Sequence, residues 1–422
     1  MKVLVIGSGG REHAICFAFK KSGCDVYCAE GNAGIGEFVK CVKIKPTDLK
    51  GLADFAETEK IDLSFVGGEV PLALGIVDEF EKRNLKIIGP SKAAARLESS
   101  KVFAKEFMSR HSIPTAKYKI ANSFEEAKQI LESGFFGDVE TPVVVKADGL
   151  AGGKGVLVVE NRYKAFEALE SLETVAGKEA SQKIVLEEKL SGKEISQLLF
   201  SDGESFVLMP PVRDHKRIFD GDKGPNTGGM GTVADFGLLT DVQVGQIVWD
   251  IVEPTLRGCV AEGFKFKGIL FLGLMLEETG EIKVLEYNVR FGDPEAQVIL
   301  PLLDTKLTEI CEAILNGNLN KIQVKWKPKS AACVVLASEG YPYKPKTGDV
   351  ITGIKEAEKL DDTFLFHAGT AKNEEGSFIT AGGRVLGVTA IGDNLESALK
   401  KAYKAVELIH FDRMQFRRDI GK

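Results

Sequence analysis

The sequence predicts a multidomain protein of mixed class. An α/β doubly wound sheet opens the chain, an antiparallel α+β region follows, and a small α+β domain closes it. Three observations carry this reading. Strand and helix signals alternate through the first hundred residues, a rhythm that builds largely parallel sheets covered on both faces. From about residue 142 to 330 the rhythm changes to apolar runs joined across short turns, which reads as hairpins. The chain has 422 residues, which at roughly 100–200 residues per domain makes two to four domains.

In order, "KVLVIG" is a short apolar run ending in Gly, and "REHAICFAFKKSG" has helical spacing and a Gly stop. "DVYCAEG", "IDLSFVGG" and "LKIIGP" are further strands of the first sheet, whose ligands are expected at the carboxyl ends of the strands. "SSKVFAKEFMSRHSIP" reads as a helix capped by Ser99 or Ser100 that stops before Pro114. Lys101 and Lys105 share one face of it. Lys101 reads as a solvated position; Lys105 is left between a solvated face and an anion site. "TPVVVKADG" and "VLVVE" pair across "LAGGKG", "SQLLF" pairs with "SFVLMPP", and "KGILFLGLML" pairs with "IKVLEYNVR" across Thr279-Gly280. The tail supplies strands at "AACVVLAS", "LFHAG" and "GRVLGVTAIG" and a helix at "NLESALKKAYKAVELI".

Composition narrows the class of function. Net charge is −6 without a long basic run, so a nucleic-acid partner is not expected. No apolar run reaches about 18 residues, so no membrane span is expected. "MKVLVIGSGG" reads as a first strand rather than a signal peptide. Seven Cys and five His are scattered without a CxxC, which argues against a disulfide framework or a zinc site and fits a reducing cytoplasm. Cys16, Cys28 and Cys333 sit in apolar surroundings and read as small core hydrophobes.

Four stretches carry chemistry. "GSGGREH" follows the first strand, but Glu12 stands where a dinucleotide fingerprint needs its third glycine. A sugar phosphate suits this turn better than a dinucleotide. "VVVKADGLAGGKGVLVVE" joins two strands through glycines; it lacks the Gly-Lys-Ser/Thr and following helix of a Walker A loop. It reads as a flap whose amides close over phosphates, and Lys146 at the end of its β-run calls for an anion. "DHKRIFDGDKGPNTGGMG" is dense in charge and glycine. Asp214, Lys216 and Arg217 suit a polar substrate, and the "NTGGMG" run lets backbone approach a small ligand.

The fourth stretch is "VLEYNVRFGDPEAQ". Alternation puts Leu285, Tyr287 and Val289 on one face and Glu286, Asn288 and Arg290 on the other. That second face is either solvated or the floor of a metal and anion site. Magnesium takes few protein oxygens and completes its shell with phosphates and water, and Glu286 and Asn288 supply such a pair. Arg290 suits a phosphate or carboxylate. Beside a Gly-rich flap carrying Lys146, this strand points to ATP-dependent activation of a carboxylate.

The chain resembles the glycinamide ribonucleotide synthetases of the ATP-grasp superfamily over essentially its whole length. "VLVIGSGGREHAI", "GNAG", "KADGLAGGKGV", "DHKR", "GPNTGGMG", "RFGDPE", "HAGT" and "GGRVL" carry the resemblance. It departs from the family pattern at Gly67-Gly68-Glu69-Val70-Pro71, at Gly152 and in "TVADFG" after "GGMG", none of which removes a charge. The resemblance implies three units: a Rossmann-like domain at 1–102, an ATP-grasp domain at 103–327 with a β-rich lid at about 122–190, and a C-terminal domain at 328–422. It implies ligation of glycine to 5-phosphoribosylamine with ATP, through glycyl phosphate, in purine biosynthesis. Magnesium is the implied cation, with manganese as an alternative.

By the same resemblance, Glu286 and Asn288 are metal ligands, and Lys105 and Lys146 face the ATP phosphates. The flap 149–155, with Gly149, Gly152, Gly153, Lys154 and Gly155, covers them. Glu187 and the backbone of the segment with Glu188, Lys189 and Leu190 meet adenine, and Glu194 meets ribose. Gly9, Gly10 and Glu12 resemble the phosphoribosylamine pocket. Asp214, Lys216, Arg290, Gly292, Asp293 and the loop Asn226, Thr227, Gly228, Gly229, Met230 and Gly231 line the reaction centre. Lys146, Asp214, Lys216 and Arg290 are the implied catalytic groups. A cytoplasmic monomer with small-molecule partners is expected.

Overall fold

The computed structural model describes residues 1–150, 155–178 and 180–422. The first sheet holds β1 (Lys2–Gly7), β2 (Asp25–Glu30), β3 (Lys40–Val42), β4 (Leu63–Val66) and β5 (Ile87–Ile88), all parallel, in the order β3-β2-β1-β4-β5. Val3, Leu4, Val5 and Ile6 are all fully buried because helices cover both faces of the sheet. The sequence reading missed β3, a three-residue edge strand with two exposed positions and no apolar period to betray it.

A second, four-stranded sheet contains β6 (Tyr118–Ala121), β7 (Val143–Ala147), β8 (Val156–Val159) and β9 (Ile184–Glu188), in the order β6-β9-β7-β8. Helices Phe124–Glu132 and Arg162–Ala176 bury its apolar side in a separate small core that includes Val143, Val145, Leu169 and Leu186.

The third sheet is the largest. It runs through β10 (Gly192–Asp202), β11 (Phe206–Leu208), β12 (Val212–Asp214), β15 (Gly231–Ala234), β16 (Lys267–Glu277), β17 (Ile282–Asn288), β18 (Ser330–Ala337), β19 (Thr363–His367) and β22 (Arg384–Gly392). Two small ladders stand apart: β13 (Arg217–Phe219) with β14 (Lys223–Asn226), and β20 (Thr370–Lys372) with β21 (Phe378–Thr380). The expected hairpins β7–β8, β10–β11 and β16–β17 are all antiparallel pairs. The pairing of β15 with β18 was not legible in the sequence. It makes the C-terminal strands continue the central sheet, and such long-range pairing leaves no local period.

One expectation about β17 is corrected. Its register shifts between Gly273 and Leu274 of β16, which pair with Glu286 and Val284. Leu285 is the extra residue of this bulge. Val284, Tyr287 and Val289 pack in one core, whereas Leu285 packs against Ala116, Leu190 and Met275. Strict alternation had put Leu285 with Tyr287.

The helix Gly10–Lys21, which follows β1, is tied to the C-terminal strands by aromatic contacts. His13 stacks 5.7 Å from His367 and lies edge-on to Phe366 at 5.6 Å. Cys16, Cys28 and Cys333 are buried, as their surroundings predicted. No helix among the described residues is long and apolar enough to cross a membrane.

Candidate active site

The helix Lys101–Arg110 starts where Ser100 Oγ accepts from the Phe103 amide. Asp148, just past β7, accepts from Ser100 Oγ at 2.9 Å and from the Val102 amide at 2.8 Å. This joins the helix N-terminus to the end of β7 and fixes the helix face that carries two lysines. Lys105 Nζ lies 3.0 Å from Glu187 Oε2, and Lys146 Nζ lies 2.8 Å from Glu187 Oε1. Lys105 also donates to Thr115 Oγ1 at 2.7 Å, and Thr115 in turn donates to the Val284 carbonyl. Lys146 donates to the Leu285 carbonyl that the bulge turns toward it. Lys101, expected to be solvated, instead pairs with Glu286 at 3.1 Å with its side chain 20% exposed. A cavity of about 10 Å³ separates these groups, lined by Lys101, Lys105, Lys146, Glu187 and Glu286 among others.

The electrostatics follow from burial. Burial pushes Lys105 down to about 8, against the pull of Glu187, and the neighbouring Lys146 and Lys101 add to the fall. Burial opposes ionisation of Glu187, but Lys146 and Lys105 hold its carboxyl below the ordinary value. Burial works against Glu286 as well, yet Lys101, Lys216 and Lys146 keep it well below the carboxylate range. Glu286 is therefore an anion at neutral pH among an excess of ammonium groups. Such a site suits a polyanion.

Glu187 was expected to meet adenine. Its side chain is 1% exposed and lies between two lysines. Glu188 accepts from the Lys117 amide at 2.8 Å, Lys189 is exposed, and Leu190 is buried. Glu194 pairs with Lys216 at 2.9 Å. Gly149 and Gly155 border the flap on β7 and β8, whereas Gly152, Gly153 and Lys154 lie outside the described residues.

Glu286 and Asn288 stand two residues apart on β17 and bring oxygen donors to one strand. Among the described residues no cluster of three or more His, Cys, Asp or Glu is suited to a metal. An anionic carboxylate and an amide oxygen fit a hard cation whose other ligands come from phosphates and water. Asn288 Oδ1 accepts from Arg290 Nη2 at 3.0 Å.

A second cluster is built on arginines. Arg290 reaches Glu98 Oε1 at 2.6 Å and Glu69 Oε2 at 3.3 Å. Arg11 pairs with Glu12 at 2.8 Å and with Glu69 at 3.7 Å. Arg384 pairs with Asp293 at 3.2 Å and donates to its carbonyl and to that of Gly228. Arg290 was expected to hold a substrate anion, and here its guanidinium is already occupied by protein carboxylates. Burial opposes the charge on Glu69, but Arg290 and Arg11 hold its carboxyl at about 2.

Glu12 is 3% exposed and accepts from the Gly9 amide at 2.6 Å. A Cβ on Gly7, at φ +136°, would lie 2.5 Å from Glu12 Cγ. The glutamate thus fills the room above the turn and caps the following helix from within. Gly10 approaches Gln297 and Ala368. Asp293, Gln297, Gly228 and Arg384 gather around the same turn.

Asp214, at the end of β12, is pushed well above the carboxylate range by burial and then by the charge of Glu295. Its Oδ1 has no hydrogen-bond partner among the described residues. Glu295, itself raised by burial, accepts from Ser196 Oγ at 3.0 Å. Gly292 lies in contact with Glu295. Asn226, Thr227, Gly228 and Gly229 form the return of the loop, and Thr227 donates to the Lys216 carbonyl from both its amide and its hydroxyl. Met230 and Gly231 are corrected: Met230 is fully buried beside Ile218 and Tyr341, and Gly231 lies inside β15. Their side-chain positions face the core.

Sequence reasoning missed Lys101, Arg11, Glu69, Glu98, Glu295 and Arg384. Arg11, Glu69, Glu295 and Arg384 lie inside stretches already singled out for their motifs. Glu98 had no local signal, because its partner is 192 residues away in sequence at Arg290.

Comparison with known proteins gives the family of the chain. Three profiles of phosphoribosylglycinamide synthetase match the chain: the N domain over residues 1–98, the ATP-grasp (A) domain over 99–296 and the C domain over 331–422. A phosphoribosylamine–glycine ligase of Caldanaerobacter subterraneus subsp. tengcongensis is 44% identical over 425 residues, covering 100% of this chain and 99% of the relative. A bifunctional purine biosynthetic protein of Dictyostelium discoideum is 42% identical and covers 100% of this chain, which spans 54% of that protein. The crystal structure of phosphoribosylamine–glycine ligase from Thermotoga maritima superposes with a TM-score of 0.84 at 35% identity, covering 100% of both chains. A biotin carboxylase complex from Campylobacter jejuni shares the fold at a TM-score of 0.72 and 16% identity, covering 98% of this chain and 92% of that one. The chain belongs to the phosphoribosylglycinamide synthetase family.

Proposed function

We infer that this chain joins glycine to 5-phosphoribosylamine at the expense of ATP, giving glycinamide ribonucleotide, ADP and phosphate. The observation that carries this reading is the meeting of Lys105, Lys146 and Glu286 at one cavity, in a chain that matches the family across all three domain profiles. In the first step a carboxylate oxygen of glycine attacks the terminal phosphorus of ATP, and ADP leaves. In the second, the amine nitrogen of phosphoribosylamine attacks the carbonyl carbon of glycyl phosphate. Phosphate leaves, and the nitrogen loses a proton.

Both steps build negative charge on oxygen, so fixed cations supply most of the assistance. Lys105 and Lys146 bind the phosphates of ATP, exchanging part of their contact with Glu187 for phosphate oxygens. Lys216 faces the reacting phosphoryl group. Asp214, buried and short of a hydrogen-bond partner, receives an ammonium or amine group of a substrate. The Gly10 amide is offered to the phosphate of phosphoribosylamine, near Arg384, while the Gly9 amide stays bonded to Glu12. Glu286 and Asn288 hold magnesium, with manganese as an alternative, and the cation neutralises phosphate charge when bound. The arginine cluster of Arg11, Arg290 and Arg384 keeps the walls of the site in place.

We divide the chain at 1–102, 103–327 and 328–422, and expect a cytoplasmic monomer. The test is ADP formation by the purified protein with ATP, magnesium and glycine, with and without phosphoribosylamine made in situ from ribose 5-phosphate and ammonia. ADP release that needs both glycine and the amine is expected. ATP binding without ADP release under these conditions, or release with another carboxylate, would overturn the reading.

A further inference from the structure

The excursion between β12 and β15 carries Asp214, Lys216 and residues 226–229, yet most of it has little to rest on. The ladder β13–β14 stands apart from the larger sheets, with most of its residues exposed. A two-stranded hairpin alone in water is marginal. Apart from Ile218, which packs beside Met230 and Ala337, what holds it is the segment 417–421. Arg417 is 1% exposed, although arginine is rarely buried without reason. Its guanidinium donates to Asp419 through Nε and Nη2, both at 2.7 Å, and to Asp222 Oδ1 at the hairpin tip at 2.6 Å. Asp419 accepts from the Gly221 amide at 2.7 Å, and Asp220 accepts from the Arg418 amide at 2.8 Å. Both sides of the tip are therefore gripped.

The base of the excursion is gripped as well. The Gly421 amide donates to His215 Nε2 at 3.1 Å, so Nε2 is the acceptor and Nδ1 carries the proton. Nδ1 then donates to the Gly231 carbonyl at 3.1 Å. His215 lies between Asp214 and Lys216, so this bond ties the same segment to the strand that bears both. Ile420 covers Gly231, where a Cβ would lie 2.7 Å from its Cδ1. The segment itself is anchored on the helix Leu395–Val406: Tyr403 donates to the Arg417 carbonyl and accepts from the Ile420 amide.

We propose that residues 417–421 form a clamp that positions the substrate-facing excursion 214–231, with Arg417 as the positioning residue and Asp222 as its grip on the hairpin. The clamp acts on glycine, the amine and, through Lys216, the phosphoryl group in transfer, whereas Lys105 and Lys146, which bind the ATP phosphates, sit on other elements; this part rests on the function proposed above. The main test is Asp222→Gly. Its side chain is 71% exposed and its φ is +52°, so glycine removes the carboxylate without backbone strain. Arg417→Lys keeps one charge but loses the fork.

In Asp222→Gly, amide hydrogen exchange over 217–226 should accelerate by about tenfold or more. The KM for glycine or the amine should rise, or kcat fall, by about tenfold. The Kd for ATP should stay within about twofold and the melting temperature close to that of the unaltered chain. Arg417→Lys should fall between the two. Unchanged exchange would overturn the clamp, as would a loss of ATP binding and melting temperature in step with activity. If the unaltered chain shows no glycine-dependent ADP formation, the proposed function fails, and hydrogen exchange alone then decides the clamp.

Discussion

The two charged clusters of the site solve opposite problems with different cations. Around Glu187 and Glu286 the cations are lysines, and they outnumber the carboxylates that face them. Around Glu69, Glu98 and Asp293 they are arginines, each matched to protein carboxylates and carbonyls. A lysine is a point charge on a flexible stem, whose contacts are readily exchanged when a ligand arrives. An arginine is a planar fork that fixes the geometry of what it touches. The lysine cluster is therefore poised to receive charge, and the arginine cluster to hold walls. Having the right charge in the right place does not say which of these a residue does; its partners do.

The largest effect is expected at the lysine side. Glu286→Gln should lower kcat by about 10²–10³-fold in a protein that still folds. Near-normal turnover of that variant at limiting magnesium would end the metal assignment.

Next comes a test of the arginine side. Arg290→Met leaves Glu98, 8% exposed, without its partner, a change that costs about 3–5 kcal/mol. Urea unfolding reads this directly. Lys105→Met should cost far less stability, since burial already disfavours its charge. Equal losses in the two variants would erase the contrast between the clusters.

A pH series sharpens it further. Lys105 titrates at about 8 in the folded chain against an ordinary 10.5. Between those values the unfolded chain holds a proton that the folded chain has lost, so this group makes stability rise with pH from about 8 to 10.5. Phosphate binding needs the protonated lysine, so kcat/KM for ATP should fall as pH rises through about 8. Stability and activity thus move in opposite directions. Glu187→Gln removes a contact that raises Lys105, and should shift the activity limb to lower pH. An unmoved limb would show that another group titrates there.

The smallest effect is expected at the Glu194–Lys216 pair, whose side chains are 48% and 42% exposed. Glu194→Gln should change unfolding free energy by under about 1 kcal/mol. Its KM for ATP should rise several-fold, about what one ligand hydrogen bond is worth. A large stability loss would move Glu194 into the class of the arginine partners.

Much of this was legible in the residues. Apolar runs and turn glycines predicted the first sheet and the three hairpins, because burial and backbone conformation impose local periods. Lys146, Glu286 and Asn288 were singled out because a charged or polar residue at the end or on one face of a strand is conspicuous. Lys101 was misjudged because a helix face says nothing of what packs against it. Leu285 was misplaced because a bulge depends on the partner strand, and Glu187 because its lysines come from two other elements.

The sequence by itself determined most element types and the inventory of charged groups, since these follow from local composition and spacing, and its motifs carried the resemblance to the family. Only the tertiary structure decided which charges are paired and which are free to meet a ligand. It also decided that the C-terminal strands extend the central sheet and that Arg417 reaches back to Asp222. Ion pairs and strand ladders join residues hundreds of positions apart, and their energies depend on distance and burial in space, which no local pattern records.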